Sequence, residues 1–333
     1  MNAAGASPNE ELQAEDTARV VAIGPRPRQV RQRRPRKSEP AQVAKRATAA
    51  EVLTANLEHS MDDIAWNASC ALEGSDAEAV HQLRVALRRL RTLLSLYRKL
   101  ISPDRQARLR TLARTVNADL GRARECDVFL IELLPPVLRA FAGNADLAAL
   151  SEAAKSERNT QWDEARLALR AADYSALMDS AGLLIHELRF LSGEAGETLA
   201  APAIKFARKK LERRHRSLRE AARHLKRMTA EERHRLRITV KKQRYSAELF
   251  ASLFPRAGTN SYIKALARVQ SALGLMNDVT GLKRELETLR GKAPDTAIGL
   301  MLGFYAAGAE LREQRLRKAW KRFKATDIFW STA

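Results

Sequence analysis

One motif occurs twice in this sequence. Residues His81–Arg91 read HQLRVALRRLR, and residues His234–Arg244 read HRLRITVKKQR. Four of the eleven aligned positions are identical, and four more exchange one aliphatic or one basic side chain for another. The same offset of 153 residues aligns a second pair of segments, NADLGRARECDV from Asn117 and QSALGLMNDV from Gln270. Two matched segments at one offset predict an ancient duplication of a unit of about 150 residues, longer than a solenoid repeat.

The composition after Ala47 predicts an all-α fold. Ala, Leu, Arg and Glu dominate this part of the chain, aromatic residues make up only 5% of the whole, and β-branched runs are absent. Apolar periodicity predicts helices near residues 49–72, 76–101, 103–121, 125–142, 145–171, 173–192, 203–227, 230–254, 259–274, 278–291 and 295–324. The turn-rich stretch Ser192–Pro202 separates two series of helices. We therefore expect one domain over residues 49–325, made of related halves 49–192 and 202–325.

The first 48 residues differ in composition from the rest. Residues 24–42 are rich in Pro and Arg and poor in apolar side chains, which predicts a disordered basic arm over residues 1–48. The N-terminal sequence lacks the pattern of an export signal, and no apolar run reaches the length of a membrane span. We therefore expect a cytoplasmic protein with no membrane partner. Cys70 and Cys126 have no disulfide or metal-ligand spacing and are expected to be reduced thiols.

Glycine and aspartate residues predict where some helices end and begin. Gly121 and Gly274 each follow an apolar periodic segment, so we expect them to end helices in a left-handed C-cap. Asp127 and Asp278 follow closely, and we expect each to lie near the start of the next helix. There a carboxylate accepts backbone N–H groups and complements the helix dipole.

Each copy of the motif, drawn as a helix, has a basic face beside an apolar face. With His81 at the origin and about 100° per residue, Arg84, Arg88 and Arg91 lie within an arc of about 80°. The neighbouring arc holds the side chains expected in the core, Leu83, Leu87, Leu90 and Leu94. The second copy repeats the basic face with His234, Arg237, Lys241 and Arg244. Residues 83–100 contain no acid, so like charges repel along this helix and we expect an external anion to neutralise them.

The charge balance points to the same kind of partner. The chain has 59 Lys and Arg against 39 Asp and Glu, a formal net charge of +20, and a field of this sign attracts polyanions. If the two halves pack about a pseudo-twofold axis, the two basic faces line one basic central cavity. Cations from the GRAR segment at Gly121 and the KFARKK segment at Lys205 are available to extend it. The candidate binding residues are His81, Arg84, Arg88, Arg89, Arg91, Arg122, Lys205, Arg208, His234, Arg237, Lys241, Lys242 and Arg244.

The two motif histidines predict phosphate contacts rather than a metal site. Three residues after His81 and His234 stand Arg84 and Arg237, which would repel a cation, so no metal is expected here. A bound polyanion should raise the histidine pKa values and favour binding at mildly acidic pH. Glu248 lies close to the second basic face, where pairing with an arginine or lysine of that face is expected rather than metal binding.

These motifs resemble the conserved histidine α-helical domain family, abbreviated CHAD. The first copy is similar to the family pattern H-x-x-R-V-x-x-R-R-L-R at His81–Arg91, and the second to H-x-L-R-[IV]-x-x-K-[KR]-x-R-Y-x-x-E-L at His234–Leu249. The segment LGRARECDV is similar to L-G-x-x-R-D-x-D-V, with Glu125 where the family shows Asp. The resemblance covers about residues 50–325. It implies two pseudo-symmetric four-helix bundles around a basic central cavity that binds inorganic polyphosphate.

The resemblance also implies association with polyphosphate or storage granules. Many members carry an N-terminal triphosphate-tunnel (CYTH) domain, whose E-x-E-x-K motif is absent from this sequence. The chain therefore resembles the binding module alone, which implies a stand-alone polyphosphate-binding protein with no catalysis and no cofactor.

Two other functions stay open at this point. The charge alone permits nucleic-acid binding, although the basic faces contain no aromatic residue apart from Tyr245, and single-strand recognition normally stacks bases on aromatic rings. We therefore expect nucleic acid to bind only non-specifically. A phosphate-handling enzyme with a phosphohistidine at His81 or His234 is the other alternative, although phosphoryl transfer usually needs metal-holding carboxylates that the basic faces lack.

Overall fold

The structure, a computed structural model, describes residues 33–190 and 192–331, with the side chains of residues 277–280 left out. All regular secondary structure in these residues is helical, as the composition predicts. The helices are α1 (Ala49–Glu73), α2 (Ala77–Leu96), α3 (Pro103–Asp119), α4 (Gly121–Val128), α5 (Leu134–Ala140), α6 (Ala145–Arg170), α7 (Ala172–Glu187), α8 (Gly193–Ala200), α9 (Ala203–Ala221), α10 (Ala230–Leu249), α11 (Arg256–Leu289), α12 (Asp295–Ala307) and α13 (Ala309–Lys324). None of the described helices is both long and apolar enough to cross a membrane.

Side-chain caps fix the starts of the two motif helices. The Asp76 carboxylate accepts the backbone N–H of Glu78 at the start of α2. Thr229 and Glu232 form a capping box at the start of α10, in which each side chain accepts the other residue's backbone N–H. Such caps satisfy backbone donors that have no partner inside the helix, typically stabilising it by about 1 kcal/mol.

The predicted glycine caps are wrong. Gly121 begins α4, and Gly274 lies inside α11, which continues without a break to Leu289. Neither has the positive φ of a left-handed cap, which the structure shows instead at Gly143, Gly193 and Gly291. The expected start of a helix at Asp127 is also wrong, because this residue lies within α4. The expected start of a helix at Asp278 is wrong as well, because α11 runs through this position, and the role of its carboxylate concerns a side chain outside the described residues.

Two apolar cores hold the helices together. The larger lies between α1, α2, α3, α7, α9, α10, α13 and the first half of α11. It includes the leucines predicted to face inward from α2, each at most 1% exposed: Leu83, Leu87, Leu90 and Leu94. The smaller core joins the segment 129–137 to α12, the start of α6 and the second half of α11. Because α11 contributes to both, one helix connects the two cores.

Residues 33–48 follow an extended path along α1 and are not a disordered arm. The backbone N–H groups of Arg36, Ser38 and Ala41 donate to side chains of α1 and α2 at 2.9–3.1 Å. The Arg36 guanidinium also pairs with the buried Asp63 at 2.9 Å. The expected arm is therefore packed from residue 33 onward, and the rest of that prediction concerns residues 1–32, which lie outside the described part. The stretch 192–202, expected to be turn-rich, contains the short helix α8.

The two motif helices are neighbours. α2 packs against α1, α3 and α10, and α10 packs against α9 and α11. An ion pair joins α2 to α10, with Arg89 Nη2 2.6 Å from Glu248 Oε2. The two copies of the motif, 153 residues apart in sequence, therefore lie side by side. The internal duplication and the central cavity stay predictions.

Candidate cationic site

Four helices contribute basic side chains to one region of the molecule. α2 and α10 carry the two motifs, α3 lies beside α2, and α9 lies beside α10. Positive charges of this region contribute to the lowered pKa values of Arg84, Arg91, Lys210, Lys241 and Lys242. We call these five residues, together with six further arginines of the four helices, the cationic band. Its members are Arg84, Arg88, Arg91, Arg110, Arg114, Lys210, Arg214, Arg237, Lys241, Lys242 and Arg244.

Lys241 shows most clearly how strong the positive field of the band is. Its side chain is half-buried on α10. Burial and the charges of Arg237 and Arg88 lower the pKa of Lys241 to about 7, and two further arginines of the band act in the same direction. Burial is the largest cause of this shift, and every charge that adds to it is positive. The folded chain therefore keeps unbalanced positive charge between the two motif helices.

The band continues from the motif helices onto their neighbours. Burial and the charges of Arg110 and Arg114, on α3, lower the pKa of Arg91. Burial and the charge of Arg214, on α9, lower the pKa of Lys242. One positive field therefore extends across α3, α2, α10 and α9.

Arg214 links α9 to both motif helices. Its Nη1 donates to the carbonyl oxygen of Lys242 at 3.0 Å and to the hydroxyl of Ser246, both on α10. Its Nη2 donates to Ser95 Oγ, on α2, at 3.2 Å. Burial lowers the pKa of Arg214 to about 10. Neutral oxygens thus hold this guanidinium in place without cancelling its charge.

Lys210 extends the band one turn further along α9. Its Nζ lies 4.8 Å from the centre of the Phe206 ring, at a distance that suits a cation–π contact. Burial and the charges of Arg213 and Arg214 lower the pKa of Lys210 to about 8. This end of the band therefore also holds more positive charge than its surroundings balance.

Arg84 and Arg88 hold partly desolvated charge on α2. Arg84 Nη1 donates to the carbonyl oxygen of Asn117, and burial together with the charge of Arg88 lowers the pKa of Arg84 to about 10. Although burial acts in the opposite direction, the charges of Arg88 and Arg244 lower the pKa of the buried Tyr245 hydroxyl. The Nε atoms of both arginines are buried, and neither donates to an acceptor of the described residues. Because an unpaired buried donor is costly, an anion that supplied oxygens here would gain free energy.

Arg89 and Arg244 differ from the other basic side chains of this region because they share one carboxylate, that of Glu248. Glu248 accepts Arg89 Nη2 at 2.6 Å and lies 3.3 Å from Arg244 Nη1, and its side chain is 13% exposed. The pairing with Arg244 agrees with the expectation for Glu248, whereas the bond from α2 was not predicted. Both guanidinium groups also lie 5.2 Å from the Tyr245 ring centre. The protein itself therefore balances much of the charge at this end of α10.

The two motif histidines occupy different environments. His81 is half-buried, and burial together with the charge of Arg124 lowers its pKa. His234 is exposed on the first turns of α10. Within the described residues, no group of three His, Cys, Asp or Glu side chains could hold a metal ion. The rise of the histidine pKa values on polyanion binding stays a prediction.

Besides Arg89 and the two histidines, three more predicted residues lie outside the band. Arg122 Nη1 donates to Glu125 Oε2 at 2.8 Å and to Glu285 Oε2 at 2.9 Å, and Glu157 lies 3.9 Å from its Nη2. We call these four residues the ion-pair cluster. Acids of the protein therefore match the charge of Arg122. Two residues remain on α9, the exposed Lys205 and the half-buried Arg208.

The sequence interpretation missed several members of the band. Arg110 and Arg114 are four residues apart on α3, and Lys210 and Arg214 have the same spacing on α9. This spacing puts each pair on one helix face, but it does not reveal that both faces meet the motif helices. The lack of acids in RQARLRTLARTV, from Arg105 to Val116, is the local signal that could have identified the α3 pair.

Comparisons with known proteins agree with this arrangement of helices. A family model described as CHAD domain matches residues 55–287. The crystal structure of the CHAD domain from the plant Ricinus communis superposes with a TM-score of 0.76 at 27% identity, covering 88% of this chain and 98% of that one. PptA from Streptomyces chartreusis has a TM-score of 0.60 at 18% identity, covering 84% and 99%, which shows a shared fold. No curated protein matches this chain.

Proposed function

Because this chain belongs to the CHAD domain family, we propose that it binds inorganic polyphosphate along the cationic band without catalysing a reaction. The observation that carries the proposal is the packing of α2 against α10, which brings the basic side chains of both motifs together. The lowered pKa of Lys241, caused by burial and by four arginines of these two helices, agrees with it. A line of phosphates supplies negative charge and oxygen acceptors together. Arginine can contact such a chain through two N–H groups at once, while lysine adds point charges. Binding of this kind would also bring the protein to polyphosphate granules.

The aromatic residues beside the band favour polyphosphate over single-stranded nucleic acid. Tyr97 and Tyr245 are 0% and 4% exposed, so neither offers an open ring face to a base. Phe206 packs against Tyr97 with 4.6 Å between ring centres, and Lys210 covers its ring. Single-strand binders depend on stacking that contributes about 1–3 kcal/mol per base. A ligand made only of phosphates needs no such contact.

The surroundings of the band also favour binding without catalysis. Phosphoryl transfer generally relies on carboxylates that hold metal ions beside the transferred group. Glu248 contacts the band directly, but Arg89 and Arg244 occupy both of its oxygens. This carboxylate is therefore poorly placed to hold a metal ion. We accordingly propose that the protein leaves the chain length of bound polyphosphate unchanged.

A charge-matched pair of variants tests the binding site. The double variant Arg88→Ala and Lys241→Ala should bind long-chain polyphosphate roughly 100-fold more weakly, because two charge-assisted contacts are lost. The control is Arg139→Ala with Arg170→Ala, which removes the same charge from exposed positions on α5 and α6. Isothermal titration calorimetry at fixed salt measures both. Equal losses of polyphosphate affinity in the two double variants would show that net charge alone, and not the band, determines affinity.

A second measurement tests the absence of catalysis. The protein is incubated with polyphosphate and Mg²⁺, released phosphate is assayed, and chain length is followed by gel electrophoresis. We expect neither phosphate release nor shortening. Turnover that disappears in a His81→Gln variant would favour the phosphohistidine alternative instead.

A further inference from the structure

A basic pocket lies between the turn after α9 and the C-terminal half of α13. Its volume is about 560 Å³, within the range of about 300–1,000 Å³ typical of small-molecule sites. The lining residues are Ala222, Arg223, His224, Leu225, Lys226, Arg227, Arg317, Trp320, Lys321 and Lys324. Six of these are lysine or arginine, and none is acidic. The pocket shares no residue with the cationic band.

The floor of this pocket is apolar. Ala222 and Trp320 are 4% and 7% exposed, and Leu225 packs against the larger core. The Trp320 ring lies 5.2 Å from that of Phe323, measured between centres, so it is held in place from behind. A bare phosphate chain would gain nothing from such a floor. A ligand with a flat apolar group would bury surface there.

The indole N–H of Trp320 distinguishes it from the other tryptophans. The indole groups of Trp66, Trp162 and Trp330 donate to Arg34 O, Asp127 Oδ1 and Glu212 Oε2 at 2.9–3.1 Å. Trp320 donates to no group within the described part of the chain, and its N–H is not among the buried unpaired atoms. This donor is therefore accessible to a ligand in the pocket.

The rim keeps positive charge that local acids balance only in part. Arg223 pairs with Glu220 at 2.8 Å and Arg317 with Glu313 at 3.0 Å, each within one helical turn and largely exposed. Exposed pairs of this kind contribute little and exchange readily with solvent. The remaining four cations, Lys226, Arg227, Lys321 and Lys324, form no ion pair with described residues. The rim can therefore accept several negative charges at once.

We propose that this pocket binds a nucleoside triphosphate, with the base against Leu225 and the indole N–H edge of Trp320 and the phosphates on the rim. The apolar floor accounts for the base, the free indole N–H gives it a hydrogen-bond donor, and the lysines and arginines match the triphosphate. The site is separate from the band, so it stands whether or not the band binds polyphosphate.

The test compares ATP with tripolyphosphate, which has the same three phosphates, one more ionisable oxygen and neither sugar nor base. The variant Lys321→Ala with Lys324→Ala should weaken ATP binding to the full-length protein roughly tenfold in equilibrium dialysis, because two rim charges are lost. The control, Arg315→Ala with Arg322→Ala, removes the same charge from the opposite face of α13 and should leave affinity unchanged. Equal effects of the two pairs would overturn the proposal.

The base is tested through Trp320. The variant Trp320→Leu should lower ATP affinity by roughly tenfold and leave tripolyphosphate affinity unchanged, because the base loses its edge contact and the indole N–H donor. Since Trp320 also contacts the core, circular dichroism must first show that the variant is folded. If the variant is not folded, the wild type is used instead. ATP should then quench its tryptophan fluorescence, whereas tripolyphosphate should not. Equal affinity for the two probes, or loss of ATP binding in the Arg88→Ala and Lys241→Ala variant, would contradict the proposal.

Discussion

Two groups of basic side chains in this molecule differ in how their charge is balanced. In the ion-pair cluster, Arg122 donates to Glu125 and Glu285 at 2.8 and 2.9 Å. In the cationic band, the charges that act on Lys241 are mainly arginines. Burial on its own would lower the pKa values of both Arg122 and Lys241. Yet the nearby acids raise the pKa of Arg122, whereas that of Lys241 is lowered to about 7.

The difference indicates that the ion-pair cluster acts on the stability of the fold, whereas the cationic band is available to bind an anion. The ion-pair cluster is balanced internally, and removing either partner leaves a charge behind, so its side chains act on stability. The band costs free energy in the unliganded protein and recovers it when an anion arrives. Basic composition alone does not separate these roles, because Arg122 and Arg88 are both arginines on α-helices near the repeated segments. Ion pairing does separate these two residues, because Arg122 pairs with three carboxylates and Arg88 pairs with none of those in the described residues.

The largest expected effect comes from breaking the ion-pair cluster. The variant Arg122→Met should lower the free energy of unfolding by about 3 kcal/mol, because Glu285, 2% exposed, loses its partner. Polyphosphate affinity of the folded variant should not change. In the band, Lys241→Met should leave the free energy of unfolding unchanged or raise it, because it removes a positive charge that neighbouring arginines repel. Urea denaturation measures both, and similar losses of stability would end the distinction between the two groups.

A smaller effect is expected from pH. Because the Lys241 pKa is about 7 in the free protein, a bound polyanion should draw a proton onto it above that pH. Affinity should therefore fall as pH rises from 7 to 9, by up to about tenfold per unit. Lys241→Arg stays charged and should flatten most of this slope, leaving a contribution from Lys210, whose pKa is about 8. Titration calorimetry at constant ionic strength measures how polyphosphate affinity changes with pH. An affinity that rises with pH would be inconsistent with a protonated Lys241 in the complex.

The same change in protonation affects stability with the opposite sign. In the unfolded chain Lys241 keeps its proton to a higher pH than in the folded, unliganded protein. The unfolded state therefore binds more protons above pH 7, and the contribution of this residue to stability rises with pH across that window. Thermal unfolding of the wild type and Lys241→Met at pH 7 and 9 would separate this contribution from others.

The smallest effect concerns salt. Polyanion binding weakens with salt because each neutralised phosphate releases counterions, with a slope of about 0.7 per contact for flexible single strands. Arg114→Ala, on the exposed edge of the band, should reduce the slope of log affinity against log salt by about that amount. Arg122→Met should leave the slope unchanged. An altered slope in the ion-pair variant would place Arg122 among the binding residues after all.

Local pattern predicted much of the fold and seven of the eleven members of the cationic band. Leu83, Leu87 and Leu90 are buried as their spacing predicts, because helical periodicity needs only neighbours in sequence. The prediction at Gly274 failed because a glycine inside a helix costs only about 1 kcal/mol, which apolar packing on both sides of it can offset. Leu273 and Leu282 supply such packing.

What the sequence could not predict depends on long-range contacts. Glu248 meets Arg89 across 159 positions, and Glu285 meets Arg122 across 163. No spacing rule relates such pairs, so both arginines were assigned to binding on their charge alone. For the same reason the contribution of α3 and α9 to the band became visible only when the helices were packed together. The motif identified the centre of the band, and tertiary structure determined its extent.

The unbroken helix α11 has a mechanical consequence. Over its 34 residues, about 50 Å, it carries buried side chains of the larger core at one end, such as Tyr262, and of the smaller core at the other, such as Leu286. If either core unfolds, the apolar side chains that α11 contributes to it become exposed to water. We therefore expect the two to melt in a single cooperative transition, with calorimetric and van't Hoff enthalpies in agreement.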